Sequence, residues 1–340
     1  MSSLKSYLEQ YEAETAAIAA GTAASGAPAS RVNYLPVAAP KTKDPSLLRR
    51  VGDFGVDVLK AVPTLVEAGA GLAGMVPGVH YAADPVGKVA GSAADWLGDT
   101  MYSGKRLEEE AAIQQRMTAA QDTSMLNQAK TAVGAYTDNP YALLGMVGQS
   151  GGLAKGGAML GKAVLSAVGK PVVTAGVVNA GRAATAAQVG EGLVAGGLVA
   201  ANAAQENPDE FAARYYGLPA GALTTMISRG ANKLMPDTAD VDTLLAGGMR
   251  PTTAGGVAGT LKNVGKMAFK EGVLEEALQS GQEQIFTNAS TDQPLLRGVG
   301  GAMASGAMAG SVMGGMFGFK QRKPAGTVTN EDLIADVDAG

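Results

Sequence analysis

Glycine recurs at every fourth residue in the stretch GVGGAMASGAMAGSVMGGMFGF, at Gly306, Gly310, Gly314 and Gly318. Residues four apart lie on one face of an α-helix, so this spacing draws a strip of bare backbone along the helix. Each glycine costs a helix interior about 1 kcal/mol relative to alanine. A line of glycines is stable only where something packs against it at short range. The spacing returns at Gly148, Gly152 and Gly156, at Gly157 and Gly161, and at Gly192 and Gly196. Gly148, Gly152, Gly156 and the four glycines of the first strip are read as helix-packing and oligomerisation positions. With 48 glycines and 5% aromatic residues, each buried side chain contributes little apolar area. Close approach of backbones has to supply the rest. The pattern predicts an all-α fold with no sheet, an elongated multi-helix assembly of closely packed Gly/Ala-rich helices.

Five regions follow from the texture of the chain. Residues 1–45 read as a short amphipathic helix and a Pro/Gly/Ser-rich linker arm. Residues 46–137 are amphipathic and helical. The first helix there starts at Ser46, runs past Pro63 and stops at Pro77-Gly78. Asp84 is expected to cap a second helix with Pro85 at its first position. The charged stretch SGKRLEEEAAIQQRMTAAQ is expected to be the most solvent-exposed helix, and Trp96 to sit at a packing contact or, second, at a membrane interface. Residues 138–255 are Gly/Ala-rich, with Pro171 expected to divide helices at 140–169 and 172–205 and a helix pair at 208–235. KPVVTAGVV is the best strand candidate, and its Ala-rich surroundings outweigh it. Residues 256–320 hold an amphipathic helix and the Gly-striped apolar helix. Residues 321–340 read as a disordered tail or docking peptide.

Residues 298–319 carry no charge. As a helix they would reach about 33 Å at about 1.5 Å per residue, near the roughly 30 Å of a bilayer core. Lys320, Arg322 and Lys323 follow, as at an anionic surface. Gly and Ala carry little transfer energy, so the span is weakly apolar. In residues 46–62, Leu48, Val51, Phe54, Val58 and Val62 share a side, the pattern of a helix that docks on a partner or a bilayer.

Several chemistries are excluded or weak. No cysteine is present, so disulfide and thiolate-metal sites do not arise. His80 is the single histidine and reads as a loop residue beside a turn. The residues GGAMLGKA match a phosphate loop at Gly156, Gly161 and Lys162, but Ala163 stands where Ser or Thr should hold magnesium. The net charge of −4, without a basic run, does not suit a nucleic-acid-binding face. No cofactor or metal is implied. The N-terminus has charges where a secretory h-region would lie.

One polar cluster interrupts this chain: EGVLEEALQSGQEQIFTNAS, residues 271–290. On a helical wheel Leu274, Ala277, Leu278, Gly281 and Ile285 share one arc, and Glu275, Glu276, Gln279, Gln282 and Glu283 lie opposite. This predicts an amphipathic interface helix with its Glu/Gln face exposed or set against a neighbouring helix. Glu276 and Glu283 are two turns apart. A glycan-cleaving carboxylate pair drawn from Glu275, Glu276 and Glu283 is the one enzymatic alternative, and a catalytic acid would need an apolar pocket.

This stretch, with Glu271, Glu275, Gln279, Ser280, Glu283 and Gln284 ahead of a Gly/Ala/Met-rich span, resembles a segment of the internal virion proteins of short-tailed bacteriophages. The likeness covers residues 140–320. It implies a non-catalytic protein packed in the capsid and ejected into the host periplasm and inner membrane. There it would oligomerise with itself and with other ejection or portal proteins into a channel that passes phage DNA without reading its sequence. The alternative is a soluble helical scaffold or adaptor.

Overall fold

Ser46, Ser103, Ser124 and Asn179 each stand immediately before a helix and cap it. Their side-chain oxygens accept from the backbone N–H three residues on, at Arg49, Arg106, Asn127 and Arg182. Such a bond satisfies one of the orphan donors at a helix start. The computed structural model describes residues 46–174, 177–235, 238, 241, 249–251, 256–318 and 322–324. The chain divides into two contact units, Met1–Ala39 and Pro40–Gly340, and the described residues belong to the second. The expected helix and arm of residues 1–45 lie outside the described residues.

The fold is all-α. The helices are α1 (Leu47–Gly74), α2 (His80–Met101), α3 (Gly104–Ala120), α4 (Met125–Asp138), α5 (Pro140–Ala167), α6 (Ala180–Glu206) and α7 (Gly217–Leu234), followed by α8 (Gly256–Phe269), α9 (Ala277–Ser290) and α10 (Val299–Gly318). A 3₁₀ turn, Phe211–Tyr216, leads into α7. A π-helical segment, Lys270–Glu276, joins α8 to α9 without a break. Among the described residues only two short antiparallel ribbons are extended. Val173–Thr174 (β1) pairs with Val177–Val178 (β2), and Met249–Pro251 (β3) pairs with Arg322–Pro324 (β4).

Two local expectations are corrected. KPVVTAGVV does form a ribbon between α5 and α6, pairing Val173 with Val178 and Thr174 with Val177, residue types that favour extended backbone. The second helix begins at His80, a turn before Asp84, with Pro85 inside it. Asp84 caps nothing; it receives both terminal nitrogens of Arg214, at 2.5 and 2.8 Å.

α6 is the hub of one half of the bundle, packing on α5, α1 and α7. Its glycines mark each crossing. A Cβ placed on Gly190 would overlap the Gly157 carbonyl on α5; one on Gly196 would lie 2.5 Å from the Gly217 oxygen on α7; one on Gly197 would overlap the Ala68 carbonyl on α1. The apolar cluster beneath the α5–α6 crossing is largely alanine: Ala158, Ala183, Ala186 and Ala187 with Leu165 and Val172. α10 organises the other half, packing on α8, the π segment, α9 and α4.

Polarity in several helices runs opposite to that of an ordinary soluble bundle. From Val51 to Val79 every exposed residue is Val, Leu, Phe, Gly or Pro. The inward side of α1 carries Asp53 and Asp57, 1% and 2% exposed. α7 buries Thr224 and Ser228 and exposes Leu218, Leu223 and Met226. The charged helix α3 is not the most exposed element, because it buries Arg106 and Glu109 against α1 and α5. Trp96 is 60% exposed, which overturns its expected place at a packing contact within the chain.

Candidate functional site

The polar cluster of residues 271–290 is where the structure departs most from the wheel. Lys270, Glu271, Glu275, Gln279 and Gln282 are buried, and from Met267 to Ser290 only Phe269, Val273 and Leu278 are exposed. The Glu/Gln face is thus an internal helix contact, not a solvated one. Several of its amides and charges meet polar groups on α6, on α7 and in the segment after α7. Gln279 Nε2 donates to Ser228 Oγ at 2.8 Å, and Gln282 Nε2 to Thr224 Oγ1 at 2.6 Å. Ser228 Oγ in turn donates to the Glu191 carboxylate. Lys270 Nζ reaches Asn232 Oδ1 and the Thr238 carbonyl, and Glu271 accepts from the Val241 N–H at 2.9 Å. Buried polar groups have to be paired in this way, since each one left unpaired costs about 1–3 kcal/mol. The π segment contributes to the mismatch. Its wider turn advances each residue by less than an α-helical step, so a wheel drawn at one angle loses phase across residues 270–276.

The opposite side of this helix meets α10. Gly306, Gly310, Gly314 and Gly318 are all buried, and all face the α8–π–α9 rod. A Cβ on Gly310 would lie 2.7 Å from the Glu271 oxygen, and one on Gly314 would lie 2.5 Å from the Met267 oxygen. Gly148, Gly152 and Gly156 face Phe54, Ala61 and Leu65 of α1. The glycine strips named from sequence are therefore occupied by helices of the same chain.

Glu276 and Glu283, two turns apart, line one wall of a cavity of about 330 Å³ between α5, α6, α9 and α10. Glu275 lies elsewhere, sealed at 1% exposure. Ser150 of α5, Asn202 of α6 and Ser305 of α10 complete the polar lining. Glu283 is half-buried by surface area because the cavity admits solvent. The protein packed around it still desolvates its carboxyl and pushes its pKa up to about 7.

That shift fixes a pH dependence. In the unfolded chain the carboxyl loses its proton near 4.5, and in the folded chain near 7. Between these values the folded state holds a proton that the unfolded state has released, so stability falls as pH rises through the window. Glu283→Gln removes the penalty. It is expected to raise stability by about 3 kcal/mol at pH 8, since the folded pKa stands roughly 2.5 above the unfolded one at about 1.4 kcal/mol for each unit, and to change it little at pH 4. Chemical denaturation at both pH values checks this, and equal effects at both would refute it.

Two other sequence matches are accounted for by their surroundings. Gly156–Lys162 lies in the middle of helix α5, so no phosphate-cradling loop forms there. His80 opens α2, accepts from the Gly78 N–H through Nδ1 at 3.2 Å and packs its ring on Phe211 at 5.0 Å. No group of His, Asp and Glu side chains able to hold a metal occurs among the described residues.

A second polar cluster was not foreseen. Asp53 accepts from Ser103 N, Ser103 Oγ and Tyr141 Oη, and Asp57 accepts from Tyr102 Oη and from Arg106 at 3.2 Å. The sequence signal was present: acids at a four-residue interval within an apolar helix. Their partners lie 45 to 88 residues away, beyond any local pattern. Compared with known protein families, curated proteins and solved structures, the chain matches none.

Proposed function

We propose that this chain works at a bilayer, as a helical building block of the conduit formed by internal virion proteins of the kind its sequence resembles. The observation that carries the reading is the inverted polarity of α1. Its carboxylates point inward, and Val51, Val58, Leu59, Val62 and Val66 form an exposed apolar strip. Soluble monomers seldom leave such a strip uncovered. Proteins in lipid place their charges toward the bundle interior and pair them there. Arg49 and Arg50, exposed at the start of the strip, suit an anionic headgroup layer.

The apolar span expected at 298–319 is not the element that meets the length and hydropathy of a bilayer span. Among the described residues that helix is Gly181–Glu206, with a mean hydropathy of 1.2 and 67% of its apolar window buried. The many glycines of α10 dilute its hydropathy, and its strip is filled by α8 and α9. In this reading the outward apolar faces meet lipid or a second copy, and the glycine lines hold the protomer together.

Flotation with anionic vesicles and release of a trapped dye test the proposal. The wild type is expected to float and to release dye. Val58→Asp with Val62→Asp, at positions 40% and 60% exposed, is expected to keep its helical circular dichroism and bind at least tenfold more weakly. A wild type that leaves vesicles untouched, or a variant that binds as well as the wild type, overturns it. A stable protein complex without lipid affinity would favour the soluble scaffold instead.

A further inference from the structure

We propose that the cavity between α5, α6, α9 and α10 binds a small organic cation carrying an ammonium group at each end. The cavity presents two carboxylates, Glu276 and Glu283, and no Lys, Arg or His among its lining residues. Glu283 has no hydrogen-bond or ion-pair partner among the described residues. A carboxylate that faces a cavity whose walls bring no cation is complemented by a ligand that carries the charge.

The geometry favours an elongated organic cation over a metal ion. The two acids are seven residues apart on one helical wall, so their Cα atoms are separated by roughly 10 Å along the axis. No group of three His, Asp and Glu side chains able to hold a metal occurs here among the described residues, so a metal ion would find at most two protein carboxylates. The remaining lining is mixed in the way a diamine requires. Ser150, Asn202 and Ser305 offer hydroxyl and amide oxygens to ammonium hydrogens, and Leu198 and Val199 offer apolar surface to the methylenes between them. The volume, about 330 Å³, is at the low end of small-molecule sites. Gly306 sets the floor, since a Cβ there would collide with Ser280 Oγ and the Glu276 carbonyl.

The walls from α5, α6 and α10 bring no titratable side chain to the cavity, so its ionisable lining is Glu276 and Glu283. Binding therefore strengthens as Glu283 ionises with rising pH. This proposal does not depend on membrane association and is tested in its absence.

Calorimetric titration of the full chain with putrescine is the test. Saturable binding is expected at pH 8, at least tenfold tighter than at pH 5 and at least tenfold tighter than that of butylamine. Glu283→Gln is expected to weaken it tenfold or more. Ala302→Leu, which adds bulk to the cavity from α10 and changes neither acid, is expected to abolish it. The proposal fails if putrescine does not bind at pH 8, binds no better than butylamine, or binds Glu283→Gln as it binds the wild type.

Discussion

Gly190→Ala is expected to destabilise the fold by about 3 kcal/mol, the upper range for overpacking a well-filled contact. The added methyl would lie within the radius of the Gly157 carbonyl oxygen and close on the Ala158 nitrogen, at 3.0 Å. These are backbone atoms in a helix and cannot rotate away, so α5 and α6 must separate. Gly161 makes the reciprocal contact with the Ala186 carbonyl, and separation would open the alanine cluster beneath, where each side chain has only a methyl to reach across a gap. Gly134→Ala is the control. It lies within α4 with nothing inside 4 Å of the new methyl, so only helix propensity changes, a gain of about 0.5–1 kcal/mol. Opposite signs for one chemical change at two helical glycines are the expected result, read by denaturant unfolding. Equal effects would show that α5 and α6 do not meet at Gly190.

That contrast shows what the sequence carried. Four-residue glycine spacing announced that helices approach closely, and the Ser46 and Pro77-Gly78 signals placed the first helix within a few residues. The spacing did not say which helix fills each strip. Gly306 to Gly318 could as well have met a second chain as α8 and α9. The Glu/Gln face of residues 271–290 was left open between solvent and a neighbouring helix for a related reason. A wheel equates polar with exposed, and that holds only where no partner waits. Here Ser228 and Thr224 come from another helix, 51 and 58 residues away from Gln279 and Gln282. Pairing of this kind is non-local information. The burial of the α1 carboxylates was not foreseen for the same reason: it depends on Ser103, Arg106 and Tyr141, none of which belongs to α1. The cavity, too, arises from where four helices do not quite meet, which no linear pattern records.

Arg106→Met is expected to cost about 3–5 kcal/mol, the range for breaking one side of a buried ion pair. Arg106 is 3% exposed. Its Nη2 bridges Asp57 at 3.2 Å and Glu110 at 3.0 Å, and its guanidinium lies 5.2 Å from the centre of the Tyr102 ring. Gly145 makes the pair possible, since a Cβ there would lie 2.5 Å from the Asp57 oxygen and overlap the guanidinium. Removing the cation leaves Asp57 buried with the Tyr102 hydroxyl as its remaining donor. That hydroxyl stays protonated throughout, because burial first and the Asp57 carboxylate second hold it well above its ordinary pKa. One neutral hydrogen bond does not offset a desolvated carboxylate. The double variant Asp57→Leu with Arg106→Met removes both charges, and its loss is expected to be smaller than that of Arg106→Met alone. A buried pair roughly balances its Coulomb gain against desolvation, whereas a lone buried charge has only the cost. A double-mutant cycle by denaturant unfolding should thus show several kcal/mol of coupling between positions 57 and 106. If the two losses simply add, Arg106 acts through the packing of its stem on Tyr102, and the inward carboxylates of α1 are not what joins it to α3.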